Sequence, residues 1–197
     1  MLKNIGKEYL TTVIRRLKYY KDLADKTFEQ LEEKDLYWQP SSESNSIAII
    51  IQHTAGNMLS RWTNFLTEDG EKEWRNRDDE FESHSHSFQQ LMEIWNKGWD
   101  CFLSALESLQ TDDLIKPVHI RKEELTVTDA IIRQLAHYPY HVGQIVYIGR
   151  MIKNESWKNL SIPRGTSQQY NQSMEMKDPA KKYKLAIPFF FSGFKKI

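Results

Sequence analysis

Apolar residues recur every three or four positions along four segments of the chain. Such spacing places apolar side chains on one face of an amphipathic helix. The longest stripe consists of Leu2, Ile5, Tyr9, Val13, Leu17, Tyr20, Ala24, Phe28 and Leu31. Similar patterns predict helices over about residues 46–66, 87–109 and 126–153. Four long amphipathic helices predict an all-α fold, organised as a four-helix bundle.

Polar residues mark where these helices begin and how they are connected. Asn45 or Ser46 can cap the second helix, and Thr126 with Asp129 resembles a capping box at the start of the fourth. The polar segment TEDGEKEWRNRDDEFESHSHS predicts a long loop, and KPVHIRKEELTV predicts a small hairpin. We therefore divide the chain into a bundle over residues 1–153 and an irregular, proline-containing C-terminal extension over residues 154–197.

Composition and charge narrow the class of protein. A chain of 197 residues fits one domain, and its 27 basic and 27 acidic side chains give no broad positive field to favour nucleic acid. The single cysteine, Cys101, excludes an internal disulfide and favours a reducing compartment. The N-terminus lacks the apolar core of a signal peptide, and no apolar run is long enough to cross a bilayer. We expect a cytoplasmic protein without stable membrane insertion.

The C-terminal segment KDPAKKYKLAIPFFFSGFKKI combines lysines with a short apolar stretch that contains Leu185, Ile187 and four phenylalanines. Pro188 interrupts any continuous amphipathic helix, which argues against a membrane-surface anchor. We expect this extension to pack on the bundle or on a second subunit.

Three histidines occur in the apolar segments. His137 and His141 are four residues apart, so on a regular helix they share a face at about 6 Å and can converge on one cation. On spacing alone, ordinary helix histidines bonded to backbone or water are the alternative. His53 follows the apolar run NSIAIIIQ but lies off the core stripe of its helix, together with Gly56. This strip is either solvent-facing or an internal polar cleft.

The histidine pattern resembles that of a known superfamily. A histidine in helix two after an NSI start, together with HYPYHVGQIVYIGRMI in helix four, is similar to the DinB/YfiT-like metalloenzymes over roughly residues 1–153. The stretches WRNRDDEF and LSIPRG look like those of an uncharacterised bacterial subgroup. The resemblance implies a divalent metal, commonly zinc or nickel, held by His53, His137 and His141. Pro139 departs from the pattern, and its kink either shifts His137 against His141 or only bends the helix around the site.

The resemblance also implies an activity. Some members of the superfamily conjugate a low-molecular-weight thiol, such as bacillithiol, to an electrophile, and homodimers are expected. We therefore expect a metal-dependent thiol transferase that acts on a small thiol and an electrophile. A metal-dependent hydrolase and a non-catalytic metal-binding or stress-response protein are the alternatives.

Four further residues are candidates for supporting roles, although no catalytic acid or base can be assigned. Asn57 and Gln144 lie one helical turn from two of the histidines, so we expect them to orient the ligands. Arg61 and Arg164 are candidate partners for an anionic co-substrate, because guanidinium groups pair well with carboxylates.

Overall fold

The computed structural model describes residues 2–174 and 177–183. Within these residues the protein is a helical bundle with one two-stranded antiparallel sheet. The elements in chain order are α1 Leu2–Phe28, α2 Glu33–Leu36, α3 Ile47–Trp62, α4 Phe88–Ser108, β1 Pro117–Ile120, β2 Glu123–Thr126, α5 Val127–Lys153 and α6 Ser167–Gln172. None of the described helices is both long enough and apolar enough to span a membrane.

Side-chain caps define where the long helices begin. Ser46, rather than Asn45, caps α3, since its Oγ accepts a hydrogen bond from the backbone N–H of Ile49 at 3.3 Å. The Oγ of Thr126 accepts from the backbone N–H of Asp129 at 3.1 Å and caps α5. The start of α4 is a full capping box, in which Ser87 and Gln90 bond reciprocally. These caps satisfy backbone donors that the first helical turns leave free.

The core lies between α1, α3, α4 and α5. The helix α3 packs along α4, and α1 packs along α5. Aromatic side chains fill the centre, where the ring of Phe102 lies 4.7 Å from Trp62 and 4.9 Å from Tyr138 between centroids. A Cβ atom placed on Gly98 of α4 would lie 2.7 Å from the Cα of Ala55, so α3 and α4 approach more closely than a larger residue permits. This close pairing holds α3 in a fixed position beside α5.

Two helix ends differ from the prediction. The helix α1 ends at Phe28 and is followed by the separate short α2, whereas the apolar stripe predicts one helix to Leu31. The helix α3 ends at Trp62 rather than near residue 66, because Thr63 is extended and Asn64 has φ of 50°. The predicted stripe also fails at Ile5, which is 62% exposed, because its neighbour Gly6 faces the turn at residues 111–113 instead.

The long polar connection between α3 and α4 is fastened to its surroundings. The backbone N–H of Gly70 donates to the carbonyl of His119 in the hairpin at 2.8 Å, and the Gly70 carbonyl accepts from Ser60 Oγ of α3 at 2.8 Å. The backbone N–H of Lys72 donates back to Ser60 Oγ, and the Asp69 carboxylate accepts two backbone N–H groups of the hairpin turn. The connection is therefore a wall of the bundle and not a free loop.

The C-terminal extension contains α6 and a final helical turn at residues 179–182. That turn lies against α1, where Arg16 forms a two-pronged ion pair with Asp178 at 2.7 Å and Lys182 pairs with Asp22 at 3.1 Å. Ala180 is buried there. The apolar stretch predicted to pack on the bundle or on a partner, with Leu185, Ile187 and the four phenylalanines, lies outside the described residues.

Candidate metal centre

Two helices bring three imidazoles together in the interior of the bundle. The helix α3 contributes His53, and α5 contributes His137 and His141 one turn apart. His53 is 6% exposed and His141 is 7% exposed, while His137 is half-buried. The strip that carries His53 is therefore an internal polar cleft and not a solvent-facing surface.

The three rings face one another closely. One ring nitrogen of each histidine lies within 4.8 Å of the corresponding nitrogens of the other two. The Nε2 atoms of His137 and His141 are 3.0 Å apart. The helix α5 continues uninterrupted through Pro139, so the proline does not separate the pair. Four-coordinate zinc with Zn–N bonds of about 2.0–2.1 Å holds its ligand nitrogens roughly 3.3 Å apart, so the three histidines are close enough to bind a metal ion.

An oxygen atom lies near the Nδ1 atom of each of the three imidazoles. His53 Nδ1 lies 3.0 Å from Glu80 Oε2, and His141 Nδ1 lies 2.8 Å from Gln144 Oε1. The third contact is longer, at 3.3 Å, and joins His137 Nδ1 to Gln134 Oε1. A carboxylate or amide oxygen can only accept, so each Nδ1 carries the proton and donates. Each Nε2 then keeps its lone pair free to bind a metal, as in histidine ligands with outer hydrogen-bond partners.

Burial keeps the imidazoles of α5 neutral. Removal from water, followed by the neighbouring His141 and His53, lowers the pKa of His137 to about 3. Burial also lowers the pKa of His141, although the hydrogen bond to Gln144 acts in the opposite direction. Both rings are therefore uncharged near pH 7 and have lone pairs available. Metal ligation requires this protonation state.

Glu80 supports His53 from the long connection between α3 and α4. It lies in the helical turn Asp79–Phe81, and Arg75 holds it with two hydrogen bonds of 2.8 Å each. Burial opposes the ionisation of Glu80, but the hydrogen bonds from His53 and Arg75 outweigh this effect and lower its pKa. Gly56 provides the space, because a Cβ atom there would lie 2.7 Å from Glu80 Cδ. Phe81 covers the other side of His53, with ring centroids 4.7 Å apart.

A polar cavity of about 250 Å³ opens beside the histidines. Its wall contains two of the three histidines, two amide side chains and five arginines. The lining residues are His53, Asn57, Arg61, Arg75, Arg77, Arg121, Arg133, Gln134 and His137. The cavity gives a small molecule access to the imidazole cluster.

The four supporting residues predicted from sequence lie in different surroundings. Gln144 contacts His141, as described above, but the Asn57 amide oxygen accepts from the Tyr138 hydroxyl at 3.0 Å and not from His53. Arg61 lines the cavity and donates to the Gly70 carbonyl and to Glu71. Arg164 lies in an exposed turn and is not part of the cavity wall.

Sequence reasoning assigned no supporting role to two partners of the histidines. Gln134 lies three residues before His137 on the same helix, so helical spacing was a usable signal for its contact. Glu80 has no such signal, because it lies 27 residues after His53 in a polar segment that predicts only a loop. Only the path of the connection across α3 brings Glu80 to the site.

Comparison with known proteins places most of the chain in one family. A family model described as "Protein of unknown function (DUF1572)" matches residues 4–166, a range that includes the three histidines and every residue of the cavity wall. A comparison with curated proteins found no match.

Proposed function

The chain belongs to the DUF1572 family, and from its site we propose that it is a divalent-metal-dependent enzyme of the DinB/YfiT-like type. His53, His137 and His141 would hold zinc or nickel, both of which accept imidazole nitrogen. The reaction we propose is transfer of a low-molecular-weight thiol, similar to bacillithiol, to an electrophilic substrate.

One observation carries the proposal. Three imidazoles from two helices each bring one ring nitrogen within 4.8 Å of the other two, with each Nδ1 near an oxygen acceptor, at the edge of an open cavity. Three protein ligands leave a coordination position for substrate, which is the arrangement of catalytic and not of structural zinc sites. A bound divalent ion would lower the pKa of a bound water or thiol and so provide a nucleophile at neutral pH.

The protein groups around the cluster have separate tasks in this scheme. Glu80, Gln134 and Gln144 fix the orientation of the imidazoles through their Nδ1 atoms. Phe81 shields one face of His53 from water, and the arginines of the cavity wall attract an anionic group of the substrate. In the transfer, a bond forms between the thiol sulfur and the electrophilic carbon, the leaving group departs, and the thiol proton passes to solvent.

Assembly and location are part of the same proposal. The resemblance to DinB/YfiT-like proteins implies a homodimer, and α5 has an exposed apolar stripe that suits one, formed by Ile132, Tyr140, Tyr147 and Met151. A second copy of the chain would cover this stripe. The single cysteine favours a cytoplasmic location.

Elemental analysis of protein purified without a histidine tag tests metal binding. We expect zinc or nickel near one ion per chain, with loss of the metal in His53→Ala and His141→Ala. His119→Ala is the matched control, because the His119 side chain is half-exposed on the hairpin and should leave the metal content unchanged. Absence of metal after loading with either ion would refute the proposal.

Transfer is tested with the metal-loaded protein, bacillithiol and 1-chloro-2,4-dinitrobenzene. We expect the conjugate and chloride to form faster than without protein, and His137→Ala to abolish the increase. Hydrolysis of a nitrophenyl ester without conjugation would favour a hydrolase instead. A metal-loaded protein inert to both reagents would favour a non-catalytic metal-binding protein.

A further inference from the structure

The cavity beside the histidines has an unusual charge composition. Five of its nine lining residues are arginines, and none is acidic. Arg61 and Arg75 lie deep, with side chains 5% and 2% exposed, whereas Arg77 and Arg121 are about half-exposed at the mouth. Arg133 is also exposed, on α5 one turn before His137. The positive charge therefore extends from the floor to the rim.

Among the residues that the structure describes, two carboxylates behind this wall form close pairs with its arginines. The carboxylate of Glu80 already accepts hydrogen bonds from Arg75 and from His53. Glu71 is shared, with Arg61 at 2.8 Å, Arg121 at 3.0 Å and Arg75 at 3.6 Å. The five guanidinium groups thus share two close carboxylate partners and one distant one, Asp78, which leaves a positive surplus even before a divalent ion is added.

The outer arginines have weaker partners still. Arg77 lies 3.8 Å from Asp78, a fully solvated carboxylate, and stacks over the ring of Phe81. Within residues 2–174 and 177–183, no carboxylate lies within ion-pair distance of Arg133. Exposed pairs of this kind contribute little, so both side chains are free to bind another anion.

The deep part of the cavity has an unused donor. Arg75 Nη1 is buried and forms no hydrogen bond within the described residues, and its nearest carboxylate, Glu71, lies at 3.6 Å. A buried donor without an acceptor costs free energy, so almost all such groups in proteins have a partner. Glu71 balances the charge of this buried group only from a distance, so Arg75 adds to the positive field at the floor of the cavity.

We propose that this cavity binds a small dianionic group of the substrate, of the phosphate or dicarboxylate type, next to the imidazole cluster. The volume of about 250 Å³ is ample for a phosphate group or a short dicarboxylate and leaves space for part of the molecule that carries it. Guanidinium forks bind both kinds of oxyanion with paired hydrogen bonds. That the dianion belongs to the substrate rests on the proposed function, whereas its binding to the arginines does not.

Isothermal titration calorimetry with inorganic phosphate, succinate and acetate at constant ionic strength tests the inference. The metal-free protein should bind at least one of the two dianions, at least tenfold more tightly than acetate. The anion that binds more tightly, phosphate or succinate, then shows whether the site prefers a phosphate or a dicarboxylate group. Equal affinity for the dianions and acetate, or no binding of any of them, would overturn the inference.

Substitutions locate the site. Arg133→Gln should weaken binding of the preferred dianion about tenfold, because it removes a charge from the mouth without disturbing the buried network. Arg150→Gln is the matched control, since Arg150 is exposed on the same helix and is not part of the cavity wall. Equal affinities in the two variants would show that the dianion binds elsewhere.

Metal analysis on the same samples separates the two proposals. Dianion binding in a protein that never takes up metal would support the arginine site and refute the proposed enzyme. Full metal occupancy without dianion binding, in either the metal-free or the loaded protein, would refute the arginine site and leave the metal centre intact.

Discussion

Glu80 Oε2 accepts a hydrogen bond from His53 Nδ1 at 3.0 Å, across 27 residues of sequence. The same carboxylate is held by Arg75, so the orientation of one ligand candidate depends on an ion pair in the connection between α3 and α4. The candidate metal centre therefore includes a third segment of the chain besides its two helices.

Glu80→Gln should weaken metal binding about 10–100-fold, because outer partners of a ligating histidine set its orientation and basicity. Glutamine keeps one acceptor oxygen for His53 and one N–H of Arg75, but its amide nitrogen would face Arg75 Nε–H, so we expect some loss of stability without unfolding. Competition with a chromophoric chelator measures the affinity. Glu82→Gln is the control, because Glu82 lies two residues away and its side chain forms no ion pair within the described residues. Equal affinities in both variants would contradict a role for Glu80.

Gly56→Ala should lower both the free energy of unfolding and the metal affinity. The added methyl group would meet the Glu80 side chain, and overpacking of this kind costs about 1–3 kcal/mol. Urea denaturation measures the cost. In a Glu80→Ala background the obstacle is absent, so the same change should stabilise α3 by up to about 1 kcal/mol through helix propensity. A similar cost in both backgrounds would show that Gly56 is needed for another reason.

Lowering the pH should destabilise the protein, because the Glu71 carboxylate becomes protonated. Burial alone would raise its pKa, but the hydrogen bond and charge of Arg61 dominate and lower the pKa from its ordinary value of 4.5. The ionised carboxylate therefore contributes stability above pH 4.5, and this contribution is lost as the pH falls below that value. Urea denaturation between pH 7 and 3.5 should show a shallower pH dependence in Glu71→Gln than in the wild type.

The exposed turn between α2 and α3 provides a control for the acid experiment. Glu43 is exposed and forms no ion pair within the described residues, so Glu43→Gln should retain the wild-type pH dependence. If both variants matched the wild type, the shared pairing of Glu71 with three arginines would contribute nothing to stability.

The apolar stripe on α5 predicts the outcome of a mass measurement. Light scattering should give twice the chain mass for the wild type, and Tyr147→Glu should shift the protein towards monomer, because a charge in an apolar interface is costly to bury. Lys97→Glu, an exposed change on α4, should leave the dimer intact. A wild-type monomer at high protein concentration would contradict the proposed assembly.

Helical periodicity and caps were sufficient to predict the bundle. The starts of α3, α4 and α5 agree with residues whose side chains can bond free backbone N–H groups, and the hairpin was also predicted. Helix ends were less predictable, since Thr63 and Asn64 carry no strong stop signal although their backbone leaves the helix. The short α2 was missed because four residues are too few to show a helical period.

Helix geometry also accounts for part of the imidazole cluster. The spacing of His137 and His141 follows from helix geometry, whereas the approach of His53 depended on the resemblance to a superfamily. Of the arginine-rich wall, the sequence indicated only Arg61, because the wall's members come from α3, the connection, the hairpin turn and α5. These residues come together only through tertiary packing, and the charge of their segments predicts exposure to solvent.

The fastening of the connection has a consequence for proteolysis. The stretch EKEWRNR offers trypsin three cleavage sites within a segment that resembles an accessible linker. Yet Lys72 and Arg75 have side chains 7% and 2% exposed, and only Arg77 is open to solvent. Native protein should therefore resist cutting at the first two sites, so that their cleavage reports unfolding of this wall and slows when metal or dianion binds.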